Sequence, residues 1–482
     1  MESIWTKTTD IGRREALAGN LKADVAVIGG GMAGVLTAYF LKRSGVDVVL
    51  IEGSQIGSGQ TKNTTAKITS QHNLIYNKLI EDFGEEKAGK YAIANEKAIN
   101  EFRRIIEEEN IDCMFENKAA YLYSTIEEEP LEKECKAAQK LGIDAEIVKD
   151  VTLPFKVKAA LKFNSQAQFH PLKFLKAIAD KVTIYEDTMA KTVEGNKILT
   201  DKGTINAEKI VFATHYPFIN APGYYFMRMH QERSYAMALK NAPLPDGMYL
   251  GIDKGNSFSF RSSGKYLILG GGGHRTGENS VGGKYDKLRT LAEEIYPKSS
   301  EVAAWSAQDC ITLDGVPYIG KYSSSEDSWY VATGFKKWGM TTSMVSAMII
   351  SDMISGKENQ YAEAFSPQRF EFSASIKTLA EDTIKSAKGL IKEAFKLPKE
   401  KIDELPRNHG GIVEYNGHKA GVYKDEQGEV FIVSTKCSHL GCQLEWNPDE
   451  NSWDCPCHGS RYNYNGELID NPAQENLEKE LT

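Results

Sequence analysis

The chain has no run of eighteen or more apolar residues, so no transmembrane helix is expected. The strongest candidate, residues 344–354, is short and is interrupted by Ser346, Ser351 and Asp352. An apolar secretory segment is missing from the N-terminus as well. Arg13 and Arg14 superficially match a twin-arginine export signal, but Glu15 and Asn20 stand where an apolar stretch should follow. A cytoplasmic location is therefore the expectation. Cysteine is scarce, seven in 482 residues, which excludes a disulfide scaffold. Positive charge is not in excess either. Lys plus Arg number 58 against 66 Asp plus Glu, a net −8, which argues against nucleic acid as a main partner. Internal repeats and low-complexity tracts are lacking. What is present is 41% hydrophobic and 26% charged, enough for a packed core and too apolar for wholesale disorder. At roughly 150 residues per domain, the length suggests about three folding units.

Three segments are legible. Residues 1–368 read as one α/β unit, opened by a buried-strand pattern at 24–28. Residues 369–404 form a polar, Lys-rich connector, and residues 405–482 a small β-rich module with Gly, Asn and Pro turns. Within the connector, apolar residues recur with helical spacing from Ile376 to Phe395, and Pro398 ends the pattern. Such a helix binds a membrane surface or a partner, or simply packs on its own domains. The mixture of Glu381, Asp382 and Glu393 with lysines on its polar face favours packing.

Strand, glycine turn and helix occur in order near the N-terminus. Gly29, Gly31 and Gly34 follow the strand as G-x-G-x-x-G, with Met32 and Ala33 between the last two, and a helical run covers 35–42. The first glycine permits the turn, the second admits a pyrophosphate close to the backbone, and the third packs helix on strand. The helix N-terminus offers free N–H groups and partial positive charge to phosphates. A second strand, 46–51, ends at Glu52, eighteen residues after Gly34 and suited to gripping a ribose hydroxyl. Together these predict dinucleotide binding.

Residues 57–66, with Gly59, Thr61, Lys62, Thr64 and Thr65, resemble the segment that wraps phosphate and ribityl in the D-amino-acid oxidase and glycine oxidase family of flavoproteins. Residues 211–215, with Ala213 and Thr214, resemble that family's later contact with FAD, and 314–320 and 332–341 its C-terminal flavin signature. The resemblance spans about residues 20–360. It implies an α/β FAD-binding (Rossmann-like) domain with an inserted α+β substrate domain, built from insertions at about 75–165 and 222–305. It also implies that Gly334 and Gly339 let backbone approach the isoalloxazine, and that the helix entered at Met340 and Thr341 aims its N-terminus at the flavin.

The resemblance frays where the substrate would sit. Amino-acid oxidases of the family place an Arg between a Trp and the Asp-Gly-x-Pro motif to clamp the substrate carboxylate. Here Trp305 is followed by Asp309 at that position. An acid cannot clamp a carboxylate, which points to a small cationic or amine substrate unless Asp309 caps a turn or pairs with an Arg. His72, Arg261 and His274 are further catalytic candidates, each equally suited to a structural hydrogen-bonding role. Amine oxidation by hydride transfer to a flavin does not oblige a side-chain base, so no catalytic residue is assigned.

Four of the seven cysteines lie between 437 and 457. Cys437-x-His439 and Cys455-x-x-His458 are separated by fifteen residues, giving two thiolates and two imidazoles on two loops. A structural zinc site uses the same ligand types. The whole loop pair, with its Gly, Pro and extra Cys, resembles a Rieske [2Fe–2S] domain, an all-β module. The resemblance implies one iron held by Cys437 and Cys455 and the reducible iron by His439 and His458. Neutral imidazoles raise the potential into a range of about −150 to +300 mV. Ser460 and Tyr462 match the hydroxyl pair that stabilises the reduced cluster in quinol-oxidising complexes, implying the upper half of that range. Cys442 and Cys457 match the disulfide that ties the two loops together in that branch; two buried free thiols are the alternative.

A ring-hydroxylating oxygenase would need a further iron on two histidines and a carboxylate. The remaining histidines, among them His72, His170, His215 and His274, form no closely spaced helical pair. The fusion resembles bacterial FAD-dependent oxidoreductases with a C-terminal Rieske domain. A flavin accepts two electrons and a [2Fe–2S] cluster carries one. The expected activity is thus a dehydrogenase that takes electrons from a small, amine-type substrate and passes them singly to an external acceptor. The alternative is an electron-transfer or redox-sensing module without substrate turnover.

Overall fold

The apolar run before the glycine motif forms the strand Leu21–Ile28, and its last four residues are fully buried. A strand inside a parallel sheet is covered on both faces. This one pairs in parallel with Thr204–Phe212 on one side and Val48–Ile51 on the other. Glu326–Thr333 and Thr183–Tyr185 extend the sheet in parallel, and Tyr318–Ser323 closes one edge antiparallel. The computed structural model describes residues 2–369 and 402–479. The helical pattern expected at 376–395 lies outside them.

The helices Met32–Arg43 and Gly339–Ile354 pack on one another over this sheet. The first begins at Met32, earlier than the apolar periodicity indicates, because Gly31 is its N-cap and the last part of the glycine motif is already helical. Each helix starts just past the C-terminal end of a parallel strand. Both N-termini therefore face the sheet edge where ligands bind in open α/β folds.

A second, mostly antiparallel sheet is drawn from two stretches of chain, 67–168 and 229–312. Its edge strand is Ser300–Thr312, followed inward by Met229–Lys240 and Tyr266–Arg275. The edge strand runs past the expected limit at 305. Both of its faces are covered, one by a cavity and the other by the C-terminal module, and the extra residues prove to carry the junction between them. The C-terminal module holds a three-stranded antiparallel sheet, His409–Tyr415, His418–Lys424 and Val430–Ser434. A four-stranded sheet of short strands, Glu445–Asn447 to Leu468–Asp470, completes it. Trp446 and Trp453 pack together in its core.

Candidate functional site

A cavity of about 1500 Å³ lies between the C-terminal edge of the parallel sheet and the second sheet. At one end it is walled by Gly29, Gly31, Met32, Ala33 and Glu52. A Cβ on Gly31 would meet only Thr61 Oγ1, at 3.5 Å, and one on Gly59 or Gly339 would meet nothing within 4 Å. These three glycines border free space, the cradle that backbone approach to a dinucleotide requires. Gly34 is not part of the wall. Its Cβ would fall 1.9 Å from the Gly29 carbonyl oxygen, so this glycine serves the contact of helix and strand. Glu52 accepts from the N–H groups of Gly30 (2.7 Å) and Ser54 (2.9 Å), and burial pushes its pKa up.

The loop carrying Thr61, Lys62, Thr64 and Thr65 also lines the cavity. Donors from distant elements hold its backbone carbonyls. Trp305 Nε1 donates to Asn63 O (2.9 Å), Trp5 Nε1 to Thr64 O (2.7 Å), and Arg261 Nη1 to Thr65 O and Ala66 O (2.7 Å each). Thr61 Oγ1 accepts from Met32 N–H at the start of the glycine-motif helix (3.0 Å). Arg261 is thus a buried strut of this loop. The hydrogen-bonding roles of the two tryptophans are not legible in the sequence, because only the fold brings them to this loop.

Ala213, Thr214, Gly339 and Met340 complete the expected wall. Gly334 and Thr341 do not reach it. Gly334, at φ +73°, owes its identity to Thr312, whose Cγ2 would lie 2.3 Å from an added Cβ. Thr341 is buried and donates to Thr69 O (3.0 Å). His72 borders the cavity, but both its nitrogens are occupied: Nδ1 by Tyr91 Oη (2.6 Å) and Nε2 by Thr69 O (2.8 Å). Burial lowers its pKa to about 3, and its ring stacks on Trp338. His274 is likewise held, by Arg275 O (2.7 Å) and Tyr235 Oη (3.1 Å). Asp309 does line the cavity, opposite Glu232 in the paired strands, and burial raises its pKa to about 7. Lys337 lies 3.2 Å from Glu232. The two arginines on the cavity wall are committed elsewhere, Arg233 to Glu450 and Arg461 to Asp454 and Asp470.

The second centre lies on the loops 435–444 and 455–460. Cys437 and Cys455 are buried, and Cys442 and Cys457 form a disulfide joining the two loops. The rings of His439 and His458 stand perpendicular with centroids 4.9 Å apart. Nδ1 of each is buried without a hydrogen-bond partner. Burial keeps both imidazoles neutral, lowering their pKa values to about 4 and about 3. His439 Nε2 donates to Asn220 Oδ1 (3.1 Å), which leaves the Nδ1 lone pair free. Two neutral, orphaned Nδ1 atoms beside two buried thiols fit a [2Fe–2S] cluster with mixed ligands. Tyr462 Oη lies 3.4 Å from Cys437 Sγ. Ser460 Oγ accepts from Ala473 N–H (3.0 Å), which leaves its own proton free to donate.

The two centres share a wall. Along Ser300–Thr312 and Met229–Lys240, Asp309 with Glu232 and Ala307 with Ser234 face the cavity. The alternate residues Gln308 and Gln231 contact the C-terminal module, and Arg233, which also borders the cavity, pairs with it. Gln308 Nε2 donates to Gly459 O and Gln231 Nε2 to His458 O, both at 2.8 Å. Arg233 Nε donates to Glu450 Oε2 (3.0 Å). Gln60, from the loop that lines the cavity, donates to Asp470 Oδ1 (3.3 Å).

Comparison with known proteins agrees with this geometry. A family model described as FAD dependent oxidoreductase matches residues 24–353, and one described as Rieske [2Fe-2S] domain matches 396–480. The Rieske 2Fe-2S iron-sulfur protein YhfW of Bacillus subtilis (strain 168) is 39% identical over 99% of this chain and 97% of its own. The cytochrome b6-f complex iron-sulfur subunit of Chlorobaculum thiosulfatiphilum is 35% identical over 82 residues, 17% of this chain and 45% of that protein. Among solved structures, glycine oxidase from Geobacillus kaustophilus superimposes with a TM-score of 0.61 at 19% identity, covering 73% of this chain and 99% of that one. L-proline dehydrogenase from P. horikoshii gives 0.61 at 21%, covering 74% and 99%. At these identities the two structures establish the fold alone.

Proposed function

The chain belongs to the FAD dependent oxidoreductase family and carries a Rieske [2Fe-2S] domain, and from that premise we propose that it is a dehydrogenase of a small amine. Electrons from the substrate pass singly through the cluster to an external one-electron acceptor. FAD supplies the conversion of a two-electron donor into single-electron steps. Oxidation of an amine to an imine releases two electrons and two protons. Two one-electron transfers to the acceptor complete the balance, and the protons leave to water.

The observation that carries this reading is the shared wall. One β-sheet presents Glu232 and Asp309 to the cavity and Gln231 and Gln308 to the cluster loop. In this reading Gly29, Gly31, Glu52, Gly59, Thr61, Thr65 and Gly339 hold FAD; Cys437, His439, Cys455 and His458 hold the cluster. Asp309 supplies negative charge for a cationic substrate, since Glu232 beside it is paired with Lys337 and the cavity's arginines are paired elsewhere. Glycine oxidase and proline dehydrogenase, which share the fold, are named for amine-bearing substrates.

Anaerobic stopped-flow mixing with a panel of amines and of amine-free carboxylates tests the reading. Flavin bleaching by an amine, followed by growth of the reduced-cluster signal, is expected. Bleaching by carboxylates alone, or by no amine, overturns it. Asp309 adds a pH signature. Its folded pKa is raised, so it is neutral below about 7 and negative above. Affinity for an amine that stays protonated should tighten as pH rises through about 7, and the Asp309→Asn variant should lose that dependence.

A further inference from the structure

We propose that the side-chain amides of Gln231 and Gln308 are the bridge by which electrons cross from the flavin cavity to the cluster. The inference rests on the function proposed above and assigns its internal route to two residues of this chain.

Both glutamines are essentially without solvent exposure, at 1% and 0%. Their amides form one directed array. Gln308 Nε2 donates to Gln231 Oε1 and to Gly459 O, each at 2.8 Å. Gln231 Nε2 donates to His458 O (2.8 Å) and Asn471 O (3.0 Å). Gln308 N–H in turn donates to Gln60 Oε1 (2.7 Å), on the loop that lines the cavity. Both acceptors on the cluster loop are carbonyls, so only the N–H sides of the amides can face them.

The connection is short at each end. Asp309 and Glu232 line the cavity, and each is one peptide unit from a bridging glutamine. Each glutamine is one hydrogen bond from a carbonyl of His458, a cluster ligand, or of its neighbour Gly459. The cluster loop also seats without a gap. Gly459 has φ +86°, and a Cβ there would lie 2.6 Å from Gln231 Cβ. On the same face Arg275 Nε donates to Pro456 O (3.2 Å). The other cross-domain contacts of the histidines, Asn220 with His439 and Phe226 with both rings, involve residues that do not border the cavity.

The two amides satisfy the carbonyls of His458, Gly459 and Asn471, which an apolar pair of similar volume would leave without these donors. The same hydrogen bonds couple the two sides. One electron passes per event: reduced FAD is oxidised by one electron and the oxidised cluster is reduced by one. The amides gain and lose no atoms, and the proton released when the flavin is fully reoxidised leaves through cavity water.

The test uses the full-length protein with FAD and cluster bound. Laser-flash photoreduction with a deazaflavin donor delivers electrons to the flavin without any substrate. Decay of reduced flavin and growth of the cluster's EPR signal then report transfer. For Gln308→Leu and Gln231→Leu we expect transfer slowed tenfold or more, with cluster g-values and midpoint potential as in wild type. Rates within twofold of wild type overturn the proposal. Gln308→Glu separates coupling from packing in the event that the leucine variants fold poorly. Its protonated carboxyl keeps a donor and its ionised form does not, so transfer should recover as pH is lowered, relative to wild type at the same pH. A slow rate with no pH dependence in that variant speaks for packing and overturns the bridge. Wild-type protein whose flavin never reduces its cluster defeats the parent reading instead, before the glutamines are at issue.

Discussion

The cavity at the nucleotide end and the cluster at the other end are built by opposite means. The cavity wall draws on residues from Ile28 to Gln474, and much of its fit comes from backbone, from glycines that carry nothing. The four candidate cluster ligands span Cys437 to His458 on two loops, and their fit comes from side chains alone. A backbone cradle tolerates changes of side-chain chemistry and fails when bulk is added. A ligand set tolerates almost no change of identity. The family's ability to keep one FAD fold while changing substrates fits the first design, and the compact loop pair fits the second.

The largest effects should come from breaking one centre and asking whether the other survives. Cys455→Ser removes a thiolate and should abolish bound iron and sulfide while leaving FAD at full occupancy. Gly31→Val fills the cradle and should abolish FAD while leaving the cluster. Metal analysis and the visible spectrum read both. Loss of FAD from the cluster-free variant would mean that the two sites are not separately built, and the comparison would fail.

A second group of residues belongs to neither design and holds the two together. Arg233, 2% exposed, is paired with Glu450 across the junction, and Arg461 extends the network to Asp454 and Asp470. Removing one partner of a buried pair strands the other, which costs about 3–5 kcal/mol. Arg233→Leu should lower the temperature at which the cluster's colour is lost, and adding Glu450→Leu should restore much of the difference, since an apolar pair leaves no charge unpaired. A double variant no better than the single one would assign the effect to lost packing.

How much of this was legible in the sequence follows from the same contrast. The candidate ligands Cys437, His439, Cys455 and His458 stand out directly, because a metal site needs fixed residue types at close spacing. The disulfide of Cys442 and Cys457 could be reached only through resemblance. The first strand, the glycine turn and Glu52 were legible because local rules govern them, whereas the packing of Gly334 on Thr312 and the bond from Thr341 to Thr69 O needed the fold. The junction and the outer support of the cavity loop could not be read at all. Trp5, Gln231, Arg233, Gln308 and Glu450 are ordinary residues in ordinary patterns, and their roles arise from contacts 59 to 240 residues apart in the chain.

The finest test concerns two hydrogen bonds that act on the cluster from opposite sides. Tyr462 Oη, 3.4 Å from Cys437 Sγ, places a proton near a ligand thiolate and so favours the reduced, more negative state. Asn220 Oδ1 accepts from His439 Nε2, which makes that imidazole a stronger electron donor and favours the oxidised state. Tyr462 belongs to the cluster domain, whereas Asn220 is contributed by the flavin domain. A hydrogen bond worth about 1 kcal/mol corresponds to about 40 mV for one electron. Tyr462→Phe should therefore lower the midpoint potential, and Asn220→Ala should raise it by a comparable amount. An EPR-monitored redox titration of each holoprotein measures both. Shifts of the same sign would mean that the potential follows solvent entry at the junction. Opposite signs would mean that the flavin domain tunes the potential of the cluster through a single amide on His439.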